Sequence, residues 1–257
     1  MEKIGAPNNL IYLCYRGSIT YNTYVHNVDI NKASDVDILG VFMAPKEYYI
    51  GLDSNKKFTP TTITIKEQVG DIQYDCVFYE IRHFVDMILK CNPNVITALW
   101  IKPTHAILSS IPFGQFLINK SSFISKKLIY RSFTGYANGQ MHEIQKALVN
   151  NRSSKKRKDI IEKCGYDTKH AASMAHSLHV VLEALQVGKL NVFRYNDADQ
   201  LIDIKLGKWS KDELISYTEE MLCKIDKAYE KSTIRELVDM DLAEKILMDI
   251  LKKHITK

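Results

Sequence analysis

The sequence predicts an α+β fold: a mixed sheet with helices in the first half and a helical domain in the second. Runs rich in β-branched and aromatic residues, typical of strands, occur at 10–14, 36–43 and 72–79. Helical apolar spacing dominates the second half. A chain of 257 residues allows one large domain or two small ones. The change of pattern predicts domains at 1–120 and 121–257.

The first-half elements follow in a clear order. The first strand candidate ends at Arg16-Gly17-Ser18, and the second carries Asp37 at an alternating position. A helix is predicted over residues 80–90, directly after the third strand candidate. The apolar residues of this segment recur at i, i+3, i+4, i+7 and i+8. The segment Cys91-Asn92-Pro93-Asn94 ends that helix, since proline cannot continue it.

The second half is predicted to contain four helices. The helix predicted over 168–187 ends at Gly188. Ser210 with Glu213 forms a capping box at the start of the helix predicted over 210–231. Residues 191–206 are predicted to form a short hairpin or an irregular excursion. The predicted helices cover 123–148, 168–187, 210–231 and 242–255.

Composition restricts the class of protein. The formal net charge is +5, and because residues 1–120 hold 11 basic and 11 acidic residues, the whole excess lies in the second half. This permits an anionic partner without requiring one. Five cysteines without a CxxC disfavour a disulfide framework or zinc ribbon, and a reducing, cytoplasmic location is expected. No run approaches the ~20 apolar residues of a membrane span, so no membrane partner is expected.

Three aspartates carry the strongest chemical signal. Asp35 and Asp37 are two residues apart, and alternate side chains of a strand share a face. Two carboxylates that close repel each other, and a divalent cation relieves the repulsion. Oxygen ligands suit Mg²⁺, which keeps other positions for water and phosphate. Asp75, on a later strand, would allow two metal ions to bind, as in phosphoryl transfer.

A phosphate-binding turn is predicted upstream of these aspartates. Gly17 allows the backbone to approach a phosphate closely, and the hydroxyl and N–H groups around Ser18 are suited to a triphosphate tail. The alternative is ordinary: an Asp-x-Asp pair in a loop is usually only solvated. The combination with Gly17-Ser18 and a strand-borne Asp75 favours the functional interpretation.

The pattern of Gly-Ser, Asp-x-Asp and a third strand aspartate resembles the DNA-polymerase-β-like nucleotidyltransferase superfamily. Beyond this core, the chain resembles the branch associated with RNA repair, from about Gly17 to Gly207. The resembling stretches are SDVDILGVFMAPKEYYIGL, DCVFYEIRHFVDMILKCNPNVITALW, GYANGQ and YDTKHAASMAHSLHVVLEALQVGKLNVFR.

The resemblance implies a role for each matching residue. Asp35 and Asp37 would be metal ligands, and Asp75 would be the third carboxylate and the general base. Gly17 and Ser18 would lie at the β- and γ-phosphates, and Ser34, which begins the Asp-x-Asp stretch, is a further nucleotide-binding candidate. The implied cofactor is two Mg²⁺ ions, with Mn²⁺ as the alternative, and an NTP is the implied substrate.

Further candidates lie in the second half. Lys169 and His170 are predicted to bind phosphate, and the alternative is a solvated helix start. Tyr136 and Gln140 are four residues apart and are predicted to line the same nucleotide cleft, against ordinary packing as the alternative. A basic run predicts contact with an RNA backbone, although such runs are usually solvated loops. The run contains Lys155, Lys156, Arg157 and Lys158.

The predicted activity is transfer of an NMP from an NTP, such as ATP, to an acceptor hydroxyl with release of pyrophosphate. RNA, as a tRNA or a broken RNA end, is the favoured acceptor because the charge excess lies in the second half. Two alternatives stay open: the same chemistry on a protein side chain, and a catalytically silent nucleotide-binding module. The isoleucine-, lysine- and asparagine-rich composition suggests a bacterial or phage source.

Overall fold

The computed structural model describes residues 5–25, 35–52, 59–146 and 161–256. Five strands form one mixed sheet in the order β3-β4-β2-β1-β5. The central strand β2 is parallel to β4 and antiparallel to β1, and the outer pairs β3–β4 and β1–β5 are antiparallel. The strands are β1 (Leu10–Tyr15), β2 (Val36–Phe42), β3 (Thr62–Val69), β4 (Ile72–Glu80) and β5 (Ala106–Ser109).

Helices occupy most of the remaining described chain. In the first part they are α1 (Ser18–Tyr21), α2 (Lys46–Ile50), α3 (Ile81–Leu89), α4 (Pro93–Ile96) and α5 (Ile111–Ile118). In the later part they are α6 (Lys126–Lys146), α7 (Thr168–Val187), α8 (Ala198–Lys205), α9 (Lys211–Lys231) and α10 (Met240–Ile255). The α+β class with a helical C-terminal region is therefore confirmed.

The chain divides into two compact units. The first contains residues 1–123 and 238–257, and the second contains residues 124–237. The prediction placed the boundary at residue 120 and assigned the whole C-terminal segment to the second domain. The structure differs because α10 returns to the first unit, where it packs on α3 and α5.

Apolar residues cover both faces of the sheet in the first unit. One face forms a cluster that includes Leu13, Ile38 and Phe78. On the other face, the Tyr12 ring stacks on Phe113 of α5 at a centroid distance of 4.4 Å. Because both faces are buried, the polar site is restricted to the end of the strands where side chains of β2 and β4 remain partly exposed.

Helix ends follow the sequence signals. The Glu80 carboxylate accepts hydrogen bonds from the N–H groups of Arg82 and His83 and so caps α3. Ser210 and Glu213 form the predicted capping box of α9. Gly188, at φ 71°, ends α7 in the left-handed conformation that glycine adopts without strain.

A buried ionic network organises the second unit. Arg194 is only 5% exposed and pairs with both Glu183 and Asp197. His179 Nδ1 lies 2.9 Å from Asp197 Oδ2, and the Tyr217 hydroxyl lies 2.7 Å from His179 Nε2. Although burial of Asp197 opposes its ionisation, hydrogen bonds from His179 and Arg194 hold the pKa of the carboxyl well below its usual range. The network links α7, the segment before α8, and α9.

All five cysteines are free thiols, and Cys14, Cys76 and Cys91 are buried. Among the helices of the described ranges, none combines the length and the hydropathy that crossing a membrane requires.

Candidate active site

The sheet register brings Asp37 and Asp75 together. Asp37 of β2 lies directly opposite Asp75 of β4 in the parallel pair. Neighbouring strands are about 4.8 Å apart, and residues directly opposite each other share a face. The two carboxylates therefore stand side by side on one face of the sheet. Asp35, which precedes β2, is two residues from Asp37 and is partly exposed.

Two cations flank this carboxylate pair. Lys66 of β3 is opposite Asp75, and its Nζ lies 3.1 Å from Asp75 Oδ2. Arg16 directly follows β1, its N–H donates to the Asp37 carbonyl, and its Nη2 lies 4.0 Å from Asp37 Oδ1. A row of charges, positive, negative, negative and positive, thus crosses the sheet. The cations offset the repulsion between the carboxylates.

The Gly17-Ser18 turn lies against this row. Gly17 has φ 64°, and Ser18 begins α1. A Cβ atom added at Gly17 would lie only 2.6 Å from Asp37 Oδ2. Glycine is therefore required here twice, for the left-handed backbone and for the close approach to the carboxylate. The turn is fixed by hydrogen bonds from Tyr21 N–H and Thr20 Oγ1 to the Gly17 carbonyl.

The donor set fits a hard divalent cation in part. Asp37 and Asp75 supply carboxylate oxygens, and Mg²⁺ is usually bound by one or two carboxylates together with water and substrate phosphates. Within the described ranges, however, no three His, Cys, Asp or Glu side chains form a group that could hold a metal ion. The pair fits, whereas the three-carboxylate set of Asp35, Asp37 and Asp75 stays a prediction.

Neighbouring ionisable groups have displaced pKa values. Burial, and next the negative charge of Asp75, raises the pKa of the Cys76 thiol to about 11. Cys76 belongs to the apolar cluster on the opposite face of the sheet, so it stays a thiol and is no nucleophile for this site. Burial also raises the pKa of Tyr79, while the Arg16 charge acts in the opposite direction.

The other predicted site residues lie in the second unit or outside the described ranges. Tyr136 and Gln140 lie on α6, partly buried. Lys169 and His170 lie in the first turn of α7, where the Asp167 carboxylate accepts a hydrogen bond from the His170 N–H. Their nucleotide contacts stay predictions. Outside the described residues lie Ser34, Lys155, Lys156, Arg157 and Lys158.

Sequence reasoning missed Arg16 and Lys66. Arg16 had a usable signal, because it immediately precedes Gly17-Ser18. No sequence signal pointed to Lys66, because strand β3 was not predicted and only the register of β3 with β4 places Lys66 opposite Asp75.

A Gly-Ser turn beside paired strand aspartates on a mixed sheet is the arrangement expected from the resemblance to the polymerase-β-like nucleotidyltransferases. The chain matches the model of the RNA repair pathway DNA polymerase beta family over residues 5–190. The match covers most of the chain, and the protein belongs to that family.

Comparison with solved structures gives a match to a nucleotidyltransferase-like protein from Exiguobacterium sibiricum 255-15. That match has 10% sequence identity and a TM-score of 0.31, and it covers 98% of this chain and 77% of that chain. None of the curated proteins matches the chain.

Proposed function

We propose that the protein is a metal-dependent nucleotidyltransferase that moves an NMP from an NTP to a hydroxyl of RNA and releases pyrophosphate. The observation that carries this proposal is the carboxylate pair, Asp37 beside Asp75, with the Gly17 backbone against Asp37. Paired carboxylates for a divalent cation and a glycine turn for phosphates are the two parts that the reaction needs side by side.

The chemical step follows from these groups. The acceptor hydroxyl oxygen attacks the α-phosphorus, a new P–O bond forms, and the P–O bond to the bridging α–β oxygen breaks, so that pyrophosphate leaves. Asp75 accepts the hydroxyl proton as general base. Asp37 and Asp75, with Asp35 as the predicted third ligand, would hold Mg²⁺, which would neutralise charge on the phosphates. Positioning and charge neutralisation supply most of the catalysis.

Arg16 is a further candidate for the triphosphate. Its Nε atom is buried and has no hydrogen-bond partner in the described part of the chain. A buried donor without a partner is costly, and a phosphate oxygen would satisfy it. The guanidinium, with several donors in a plane, is suited to phosphate recognition.

RNA is the favoured acceptor for two reasons. The family is named for an RNA repair pathway, and the net charge of +5 suits a polyanion. The predicted Lys169, His170, Tyr136 and Gln140 contacts belong to this proposal as nucleotide-binding residues of the second unit. Protein as acceptor is the competing outcome of the experiment below.

The test is incubation with each α-³²P-labelled NTP, Mg²⁺ and total RNA or protein, followed by separation of the labelled products. We expect label in RNA, and we expect Asp37→Asn and Asp75→Asn to abolish transfer while the circular dichroism spectrum is retained. Asp71→Asn is the matched control, because Asp71 is exposed in the turn before β4. Label in protein alone would mean that the acceptor is protein and not RNA. Full activity of Asp37→Asn would contradict the assignment of the active site.

A further inference from the structure

A groove runs along the second unit between α7 and α9. It is an open groove of about 420 Å³, lined by side chains of both helices and by Thr233, which follows α9. It lies apart in sequence from every residue of the candidate active site, and no predicted site residue lines it.

One side of this groove carries a lysine row, consisting of Lys224, Lys227 and Lys231. Their i, i+3, i+7 spacing places them on one face of α9, over a length of about 10.5 Å at 1.5 Å per residue. Lys224 pairs with Glu220 at 2.6 Å. Within the described part of the chain, Lys227 and Lys231 have no ion pair, and both are exposed.

The other side of the groove is uncharged. The lining residues from α7 are Leu182, Leu185 and Gln186, and Ala228 adds a further apolar side chain from α9. Positive charge is therefore confined to the α9 side, whereas the α7 side offers apolar surface and one amide. The groove is polarised across its width.

We propose that this groove binds single-stranded RNA, with the phosphates on the lysine row and the bases or riboses on the α7 side. A single strand has this same polarity, since its charge lies on one edge and its less polar bases on the other. The row is about 10.5 Å long, so its three lysines can each contact a different phosphate of the strand. An amphipathic helix would instead need a groove whose two walls are both apolar, whereas the α9 wall here carries three lysines.

The inference rests on the proposed function for the choice of RNA. It adds the surface that holds the acceptor, which neither the family match nor the active-site geometry supplies.

The test measures the binding of a short fluorescein-labelled single-stranded RNA by fluorescence anisotropy over a series of KCl concentrations. Each phosphate contact contributes about −0.7 to the log–log salt slope for single strands, so replacing three lysines should reduce the slope by about 2. We expect this reduction, and a loss of affinity at low salt, in the triple variant K224S/K227S/K231S. The triple arginine variant should retain both the slope and the affinity.

The matched control is K245S/K252S/K253S, which removes three exposed lysines from α10 with the same change in net charge. The control should retain the parental slope. An equal reduction of the slope in both triple serine variants would mean that RNA binding depends on net charge alone. An unchanged slope in K224S/K227S/K231S would mean that RNA does not bind in the groove. Either result overturns this inference.

Two further outcomes separate the inference from the proposed function. If the parent labels RNA while K224S/K227S/K231S keeps the parental slope, the groove proposal fails and the nucleotidyltransferase proposal stands. If the parent binds no RNA at any salt concentration, the RNA acceptor itself fails. Loss of binding to fluorescein-labelled poly-glutamate in K224S/K227S/K231S, with RNA binding intact, would assign the groove to an acidic protein partner and overturn the inference.

Discussion

Gly17 couples backbone conformation to the candidate active site. Replacement by alanine would place a Cβ atom 2.6 Å from Asp37 Oδ2 and would force a left-handed φ of 64° on a non-glycine residue. At φ 64° and ψ −143° the backbone of Gly17 lies in a region that is open almost only to glycine, so we expect Gly17→Ala to lower the free energy of unfolding by about 1–3 kcal/mol. We also expect a loss of NTP affinity, because the turn must move away from the carboxylate. Urea denaturation and isothermal titration with an NTP and Mg²⁺ measure the two effects.

Gly70 provides the control for this substitution. It has φ 61° in the turn between β3 and β4, and an added Cβ there would meet no atom within 4 Å. Gly70→Ala should therefore carry only the cost of a positive φ on a non-glycine residue, and it should leave NTP affinity unchanged. Equal NTP affinity in the two variants would show that the Gly17 turn is no part of the nucleotide site.

The packing of α7 on the segment before α8 should depend on pH through His176. Burial, with a smaller effect of the Arg194 charge, lowers the pKa of His176 to about 3. Its Nε2 lies 2.9 Å from the Val192 carbonyl oxygen, so the neutral ring donates a hydrogen bond from α7 to that segment.

The sign of the pH effect follows from proton uptake. Below the ordinary histidine pKa of about 6.5 the unfolded chain binds a proton that the folded chain does not, so stability falls as pH decreases toward about 3. The slope is about 1.4 kcal/mol per pH unit. We expect His176→Gln, which keeps a donor but binds no proton, to lack this part of the slope. Urea denaturation of both proteins at pH 7 and pH 5 checks it, and identical pH dependence would contradict the assignment.

Elements with strong local signals could be predicted, and elements held by tertiary contacts could not. The boundaries of α7 and the capping box of α9 agree with the prediction because they depend on neighbouring residues. β3 was missed because none of its residues is fully buried and it lacks a marked apolar run. α8, predicted as a hairpin or irregular, has only eight residues. Its helix is stabilised by the burial of Leu201 and Ile204 rather than by propensity.

The candidate site was predictable to the same degree. Strand alternation explains why Asp37 and Asp75 face away from the cluster that contains Ile38 and Cys76. Their direct pairing depends on the register of two parallel strands separated by a crossover, and no local pattern specifies that register. The ion pair between Lys66 and Asp75 depends in addition on the register of β3 with β4.

The organisation into two units required long-range information. The first unit is discontinuous in sequence, because residues 238–257 return to it after the second unit. Within the first unit, His254 Nε2 lies 2.8 Å from the Ala44 carbonyl oxygen, and the Asp239 N–H donates to Ser122. Helical periodicity predicts α10 as a helix but carries no information about which unit its apolar side covers.

The stability of the first unit should therefore depend on its last helix. Ile250 is 5% exposed on α10, whereas Met248, two residues earlier on the same helix, is 44% exposed. We expect Ile250→Ala to lower the free energy of unfolding by about 2–5 kcal/mol, as for other buried large-to-small changes. Met248→Ala should change it by less than about 1 kcal/mol, because little packing is lost at an exposed position.

Nucleotide binding provides a second measurement of this loss of stability. If α10 stabilises the sheet that carries Asp37 and Asp75, saturating NTP with Mg²⁺ should raise the same unfolding transition that Ile250→Ala lowers and so recover part of the lost stability, since a ligand that binds the folded state stabilises it. Thermal unfolding with and without the nucleotide measures the recovery, and Met248→Ala provides the matched baseline. An Ile250→Ala protein as stable as Met248→Ala would contradict the assignment of α10 to the first unit, whatever the nucleotide does.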